Sequence, residues 1–113
     1  MMRYAVPVMD GRVSGHFGHC QQFALIDADE ARKVILKKEI VTSPEHEPGV
    51  FPTWLAEQGV SVVIASGMGS QAQSLFRENR IKAITGALGD EPEKVVLDYI
   101  KGMLATGDNL CDH

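Results

Sequence analysis

Residues 60–96 read VSVVIASGMGSQAQSLFRENRIKAITGALGDEPEKVV. One pattern occurs in them twice: a short apolar run, a glycine turn, then a segment with helical spacing. Residues 60–65, VSVVIA, are nearly continuous in β-branched side chains, the signature of a strand buried on both faces. SGMGS at 66–70 is a turn into a helix predicted over 71–79. Residues 81–85 predict another strand, and GALGD at 86–90 is the second glycine turn. Pro92 opens a last helix running to about Lys101, with Glu91 and Glu93 at its positive end. Right-handed crossovers make these strands parallel and put their helices on the sheet faces.

Working toward the N-terminus, residues 50–58 predict a short helix ended by Gly59. Phe51 and Trp54 are expected to pin it to the sheet. TSPEHEPG at 42–49 breaks the strand pattern, with Glu45, His46 and Glu47 read as a solvated turn. Residues 22–28 and 33–41 predict two strands around a tight turn at 29–31. Residues 3–9 predict the first strand, with an irregularity at Pro7, which cannot donate to a ladder. DGRVSGHFGHC at 10–20 holds three glycines in eleven residues and reads as a long loop. The first three strands should form an antiparallel meander. The expected fold is therefore α/β: a five-stranded mixed sheet between helices, in spatial order 3-2-1-4-5. Residues 1–102 are expected to form one domain and residues 103–113 a tail.

A chain of 113 residues is one domain with one modest core. No stretch approaches the roughly 18 apolar residues of a membrane span. The start, MMRYAVPVMDGRVSG, lacks a signal-peptide pattern, so a cytoplasmic protein is expected. With 11 Lys+Arg against 15 Asp+Glu the formal charge is −4, which argues against bulk attraction to nucleic acid. Two cysteines are too few for a disulfide framework, so each reads as a thiol for chemistry or metal.

If the first, fourth and fifth strands are parallel, DGRVSGHFGHC, SGMGS and GALGD converge on one sheet edge. Open α/β sheets bind ligands at such an edge, where the strand order reverses. His16, His19 and Cys20 offer imidazole and thiolate, ligands for zinc, copper and iron, on a loop given play by Gly15 and Gly18. Equally, the two histidines could be surface residues and Cys20 a small buried hydrophobe. The chain ends Cys111-Asp112-His113. This tail could return to the site or reach a partner subunit, and Cys20, Cys111, His113 and His16 or His19 could make a zinc or copper site of structural or regulatory type.

Ser66, Gly67, Met68 and Gly69 precede one helix start, and Gly86, Leu88 and Gly89 lie in the other glycine turn. Backbone N–H groups at a helix start form a generic anion seat. Met68 and Leu88 could add an apolar rim. Neither turn carries Lys or Arg. An anion held by backbone donors and a few soft ligands fits a metal–sulfur cluster better than a phosphate. Gly67, Gly69 and Ala72 spell G-x-G-x-x-A, yet the acid expected after the next strand is missing, so a nucleotide-responsive interaction domain is the weaker use of this turn. Asp10 has no partner carboxylate at the end of the fourth strand, as a two-metal nuclease would need.

VSGHFGHCQQFALID at 13–27, VSVVIASGMGSQAQSLF at 60–76, IKAITGALGD at 81–90 and YIKGMLATGDNLCDH at 99–113 resemble the dinitrogenase iron-molybdenum cofactor biosynthesis family. The resemblance implies a three-layer α/β/α, ribonuclease-H-like domain that carries a metal–sulfur cluster and is not an enzyme. Small stand-alone members are found especially in anaerobes. The cargo implied is an Fe-S, Mo-Fe-S or Mo-Cu-S cluster, with zinc as the alternative metal. His16 best matches the family's cofactor-binding histidine, with Gly18, His19 and Cys20 beside it. The implied partners are cluster-assembly or cluster-accepting proteins, and a second copy of the chain could cover the site.

Overall fold

A computed structural model describes residues 2–13, 22–42, 50–104 and 106–107. The elements in chain order are β1 (Met2–Met9), β2 (Arg12–Val13), β3 (Gln22–Asp29), β4 (Val34–Thr42), α1 (Val50–Glu57), β5 (Val62–Ile64), α2 (Ser70–Glu78), β6 (Lys82–Ile84) and α3 (Pro92–Ile100). The sheet is mixed. β1 pairs antiparallel with β3, and β3 with β4, while β1–β5 and β5–β6 are parallel.

The sheet has six strands, correcting the expected five. Its path runs β4-β3-β1-β5-β6, with β2 paired to β1 off that path. β2 lies in the segment read as loop. Asp10 and Gly11 take φ of 54° and 81°, the left-handed pair that closes a two-residue hairpin. Met9 then faces Arg12, and Val8 faces Val13.

Helices cover both faces, giving a broadly ribonuclease-H-like α/β domain. Ala5, Phe23, Leu25 and Val63 pack with Phe51 and Leu55 of α1 and Phe76 of α2. On the other face Tyr4, Val6, Val8, Ala24, Ile26, Val62 and Ile64 pack with Val95 and Val96 of α3. The alternation along β1 and β3 is the two-residue strand period. Phe23 meets Phe51 edge-on at 5.4 Å and Trp54 at 5.7 Å, which anchors α1. Each such large buried side chain contributes roughly 2–3 kcal/mol.

Pro7 lies within β1, opposite Phe23 of β3. The carbonyl of Arg3 accepts from Ser61 N–H at 2.9 Å, so odd-numbered residues of β1 turn their backbone polar groups toward the lane of β5. Register with β5 runs over Tyr4↔Val62 and Ala5↔Val63, and β2 joins that side of β1 at Val8. Pro7 therefore sits where one neighbour hands over to the next, and its missing N–H leaves no orphan donor.

All three helices end in the same 6→1 and 5→2 hydrogen-bond pair. The N–H groups of Val60, Ile81 and Met103 bond the carbonyls of Leu55, Phe76 and Asp98. The left-handed residue is Gly59, Arg80 and Gly102 in turn, so α2 alone of the three closes on a side chain with positive φ, 62° at Arg80.

Candidate functional site

The parallel strands β1, β5 and β6 end on one sheet edge, and the segments that follow them are bonded together there. Gly86 N–H donates to the Ser66 carbonyl at 3.0 Å, and Ala87 N–H to the Ala65 carbonyl at 3.1 Å. The Ser66 hydroxyl donates to the Ala87 carbonyl at 2.9 Å. Val13 N–H donates to the Asp90 carbonyl at 2.8 Å. The β1–β2 hairpin and both glycine turns thus share one backbone network at the point where the strand order reverses.

His16, Gly18, His19 and Cys20 lie outside the described residues, as do His46, Cys111 and His113. Chain connectivity still bounds the histidine loop. It leaves from Val13 and returns at Gln22, and both of these pair with Val8. Its two ends are therefore anchored at this edge, on either side of β1. One lane over, a hollow of about 190 Å³ is lined by Val8, Met9, Asp10, Gln22 and Thr42.

Both helix starts at this edge lack a side-chain cap. Gly69 is the N-cap of α2 and Glu91 that of α3, and neither helix has a side-chain cap bond. Their first-turn N–H groups are the donors that a helix leaves unpaired internally. The two starts differ in charge. α2 has no acid in its first turn. α3 has Glu93 there, preceded by Asp90 and Glu91. Lys38 of β4 reaches Glu93 at 2.5 Å and, through that bond, holds its carboxyl below the usual range. For an anion, the start of α2 is electrostatically the better seat.

Gly67 is buried and Gly69 half-buried. A Cβ added at Gly69 would meet nothing within 4 Å, so the chain is open on that side. Met68 corrects the expected apolar rim. Its side chain is fully buried in the core beside Phe76, and only its backbone can serve the edge. The Met68 carbonyl is occupied, accepting from Gln73 Nε2 at 3.0 Å. Leu88 is 57% exposed and Met9 52%. Gly86 and Gly89 take φ of 73° and 132°, a region that L side chains rarely adopt.

Three features of this edge had no place in the sequence reading. The hairpin turn had a signal, the dipeptide Asp10-Gly11 between apolar residues. The Val13–Asp90 bond had none, because backbone partners leave no trace in residue type. Nor did the return of the chain after α3. Thr106 bridges antiparallel to Ala87, and Gly107 N–H donates to the Gly86 carbonyl at 2.7 Å.

At the opposite edge Arg3 grips Asp27 through Nε at 2.8 Å and Nη2 at 3.2 Å, and Nη1 donates to the Gln58 carbonyl at 2.6 Å. The hydrogen bonds from Arg3 hold the Asp27 carboxyl below its ordinary range. Tyr4, fully buried, donates to Glu30 at 3.1 Å, and burial raises its phenol. Among the described residues no group of three His, Cys, Asp or Glu could hold a metal ion.

The described residues thus form a mixed α/β domain with two helix starts that lack a side-chain cap at the edge where the strand order reverses. The family described as Dinitrogenase iron-molybdenum cofactor matches residues 1–102, and the chain belongs to that family of non-catalytic metal-cluster carriers and assembly proteins. It is 32% identical over 106 residues to Uncharacterized protein MJ0580 of Methanocaldococcus jannaschii, with 87% of each chain covered. The crystal structure of PH0822 superposes with a TM-score of 0.84 at 30% identity, covering 93% of this chain and 94% of that one. The apo orange protein of Desulfovibrio gigas shares the fold, with a TM-score of 0.73 at 24% identity and coverage of 96% and 95%. Family membership carries with it a cargo of Fe-S or Mo-Fe-S type and dealings with cluster-assembly machinery.

Proposed function

We propose that the edge where β1, β5 and β6 end is the seat of the cluster, with the start of α2 as its principal anion-binding element. The observation that carries this is the joining of the β1–β2 hairpin to both glycine turns through the bonds at Val13, Ser66 and Gly86. A sulfide-rich anion accepts weak N–H bonds at many points, and the segment 66–70 offers them without a bulky side chain in the way. The turns hold no Lys or Arg, so affinity rests on oriented dipoles and on side-chain ligation. His16 supplies an exchangeable imidazole, with His19 and Cys20 as further donors on the same loop. Gly18, Gly86, Leu88 and Gly89 line the approach. Molybdenum and copper fit this donor set as well as iron does, since thiolate and sulfide suit soft metals. A shallow, solvent-reachable seat of this kind permits release to an acceptor, which a carrier requires.

Anaerobic reconstitution with iron, molybdate or copper and sulfide tests the proposal, read by elemental analysis and visible absorbance. The expected result is stoichiometric metal and sulfide on the native chain and at least a tenfold loss of retained cluster in His16→Ala. Equal retention by the native chain and the variant would overturn the role of His16, and no retention by either would overturn the seat.

A further inference from the structure

Val8, Gln22 and Thr42 form one register row across β1, β3 and β4, at the edge where β1 ends. Side chains directly opposite in such a row stand about 5 Å apart on one face. With Met9 and Asp10 these three line the hollow of about 190 Å³. Val8 is fully buried and gives the hollow an apolar inner wall. Met9, Asp10 and Thr42 are exposed and Gln22 is half-buried. At about 30 Å³ for each water-sized group, the hollow has room for roughly six such groups.

The polar side chains around this hollow are unspent. Among the described residues those of Asp10, Gln22 and Thr42 have no hydrogen-bond or ion-pair partner. Lys38, on the same face of β4 as Thr42, is bonded to Glu93, and Arg12 faces Met9 across the hairpin, outside the lining. A carboxylate, an amide oxygen and a hydroxyl offer acceptors to a positive group, and Val8 and Met9 suit methylenes. That combination fits an apolar stem with a cationic tip. An anion would be repelled by Asp10, and a wholly apolar group would leave three polar groups unsolvated. An ammonium has three donors for the three acceptors, whereas a guanidinium wants a planar, bidentate partner. A lysine side chain, with its four-carbon stem, also matches the volume. The surroundings bear on what carries the lysine. Asp90 and Glu91 are exposed as well, and the Val13–Asp90 bond sets them beside the hairpin. Against these three acids the hairpin and the second glycine turn carry one cation, Arg12. Met9 and Leu88, 52% and 57% exposed, add two apolar side chains at the same edge. A free amine meets only the hollow, whereas a basic protein surface meets the acids and the apolar pair too.

We propose that this edge docks the basic face of a partner protein, with one lysine side chain of that partner anchored in the hollow between Asp10, Gln22 and Thr42. Charge complementarity selects the partner, and the hollow fixes its position. The hollow lies one strand lane from the cluster seat, so a partner anchored there stands beside the cargo. In this respect the inference rests on the seat proposed above, and it adds the chemistry of the protein that exchanges cargo there. The acids steer the approach, so docking weakens as salt is added.

The probe is lysine capped at both ends, N-acetyl-lysine methylamide, titrated into the ¹⁵N-labelled full chain at low salt without metal or sulfide. The expected result is saturable amide shifts at Val8, Asp10, Gln22 and Thr42, in the millimolar range and weaker in added salt. The Nζ-acetylated probe keeps the stem, loses the charge and binds about fivefold more weakly. Asp10→Asn keeps the hairpin, because Asn-Gly closes the same two-residue turn, and it weakens the charged probe by about the same factor. Thr42→Val removes the hydroxyl with little change of volume and weakens binding about threefold. Equal binding of the two probes, or native affinity in Asp10→Asn, would overturn the ammonium site. So would shifts spread equally over the exposed Glu30, Glu57 and Glu78. If n-butylammonium binds at least tenfold more tightly than capped lysine, the hollow rejects a chain-borne amine and the docking reading is overturned. The titration involves no cluster, so its failure leaves the seat standing, and a failed reconstitution leaves the docking site standing.

Discussion

The ion pair between Arg3 and Asp27 joins β1 to β3 and, through the Gln58 carbonyl, to the end of α1. Asp27 is mostly buried and Arg3 about one-third exposed, so solvent screens part of the attraction and the pair contributes about 1 kcal/mol. Asp27→Asn should lower stability by that amount at neutral pH. The sign of its pH dependence follows from the lowered carboxyl. The pair's contribution is complete above the unfolded value near 3.9 and is lost as pH falls through the lower folded value. Urea midpoints for native and variant chains should therefore differ at pH 7 and converge as pH falls through the lowered folded value. Met68 shows the limit of reading at this scale. Flanked by glycines, it looked like a residue of the rim. Yet a short turn has two sides, and only the packing around Phe76 says which one a side chain takes.

Element by element, the legible parts were those with a period. VSVVIA, the two glycine turns and Pro92 placed the second half of the chain, and alternation along residues 22–28 placed β3. β2 escaped because two residues carry no period, and the return of the chain at Thr106 and Gly107 escaped because its bonds are made by main chain. The histidine loop was legible only as composition, since His16 and Cys20 fall outside the described residues. Helix ends offer two tests. Arg80 holds φ of 62° where the other two helices use glycine, so Arg80→Gly should stabilise the fold by about 0.5–1 kcal/mol, seen as a higher urea midpoint with an unchanged slope. Gly69 already has the extended N-cap conformation, φ −67° and ψ 156°. Gly69→Asp should cap α2 and raise stability by about 0.5 kcal/mol. It should also weaken cluster retention at least tenfold, because its carboxylate occupies the donors the cargo needs. A variant that is more stable and better loaded would remove α2 from the seat.

For the molecule as a whole, a cluster seated as proposed above, between hairpin and glycine turns, would bind only the folded chain. Mass action then makes loading a stabiliser. At a free cluster concentration of 100 times Kd the gain is about 2.7 kcal/mol, which for a domain of this size raises Tm by about 10 °C. Anaerobic thermal melts of loaded and empty protein measure it. At the sheet margin, β4 is exposed along most of its length. It carries Lys37, Lys38 and Glu39 and a register shift at Asp27/Ala28 that leaves Leu36 unpaired, devices that discourage edge-to-edge growth of the sheet. The proline in β1 has a different reach. An ordinary residue at position 7 would aim a polar hydrogen into the junction between Ala65 and Val13 and demand an answer from whatever stood there. With no N–H at position 7, no donor is aimed at that junction. On the seat proposed above, cluster exchange would then unzip no strand, and the empty and filled frameworks should be nearly superimposable.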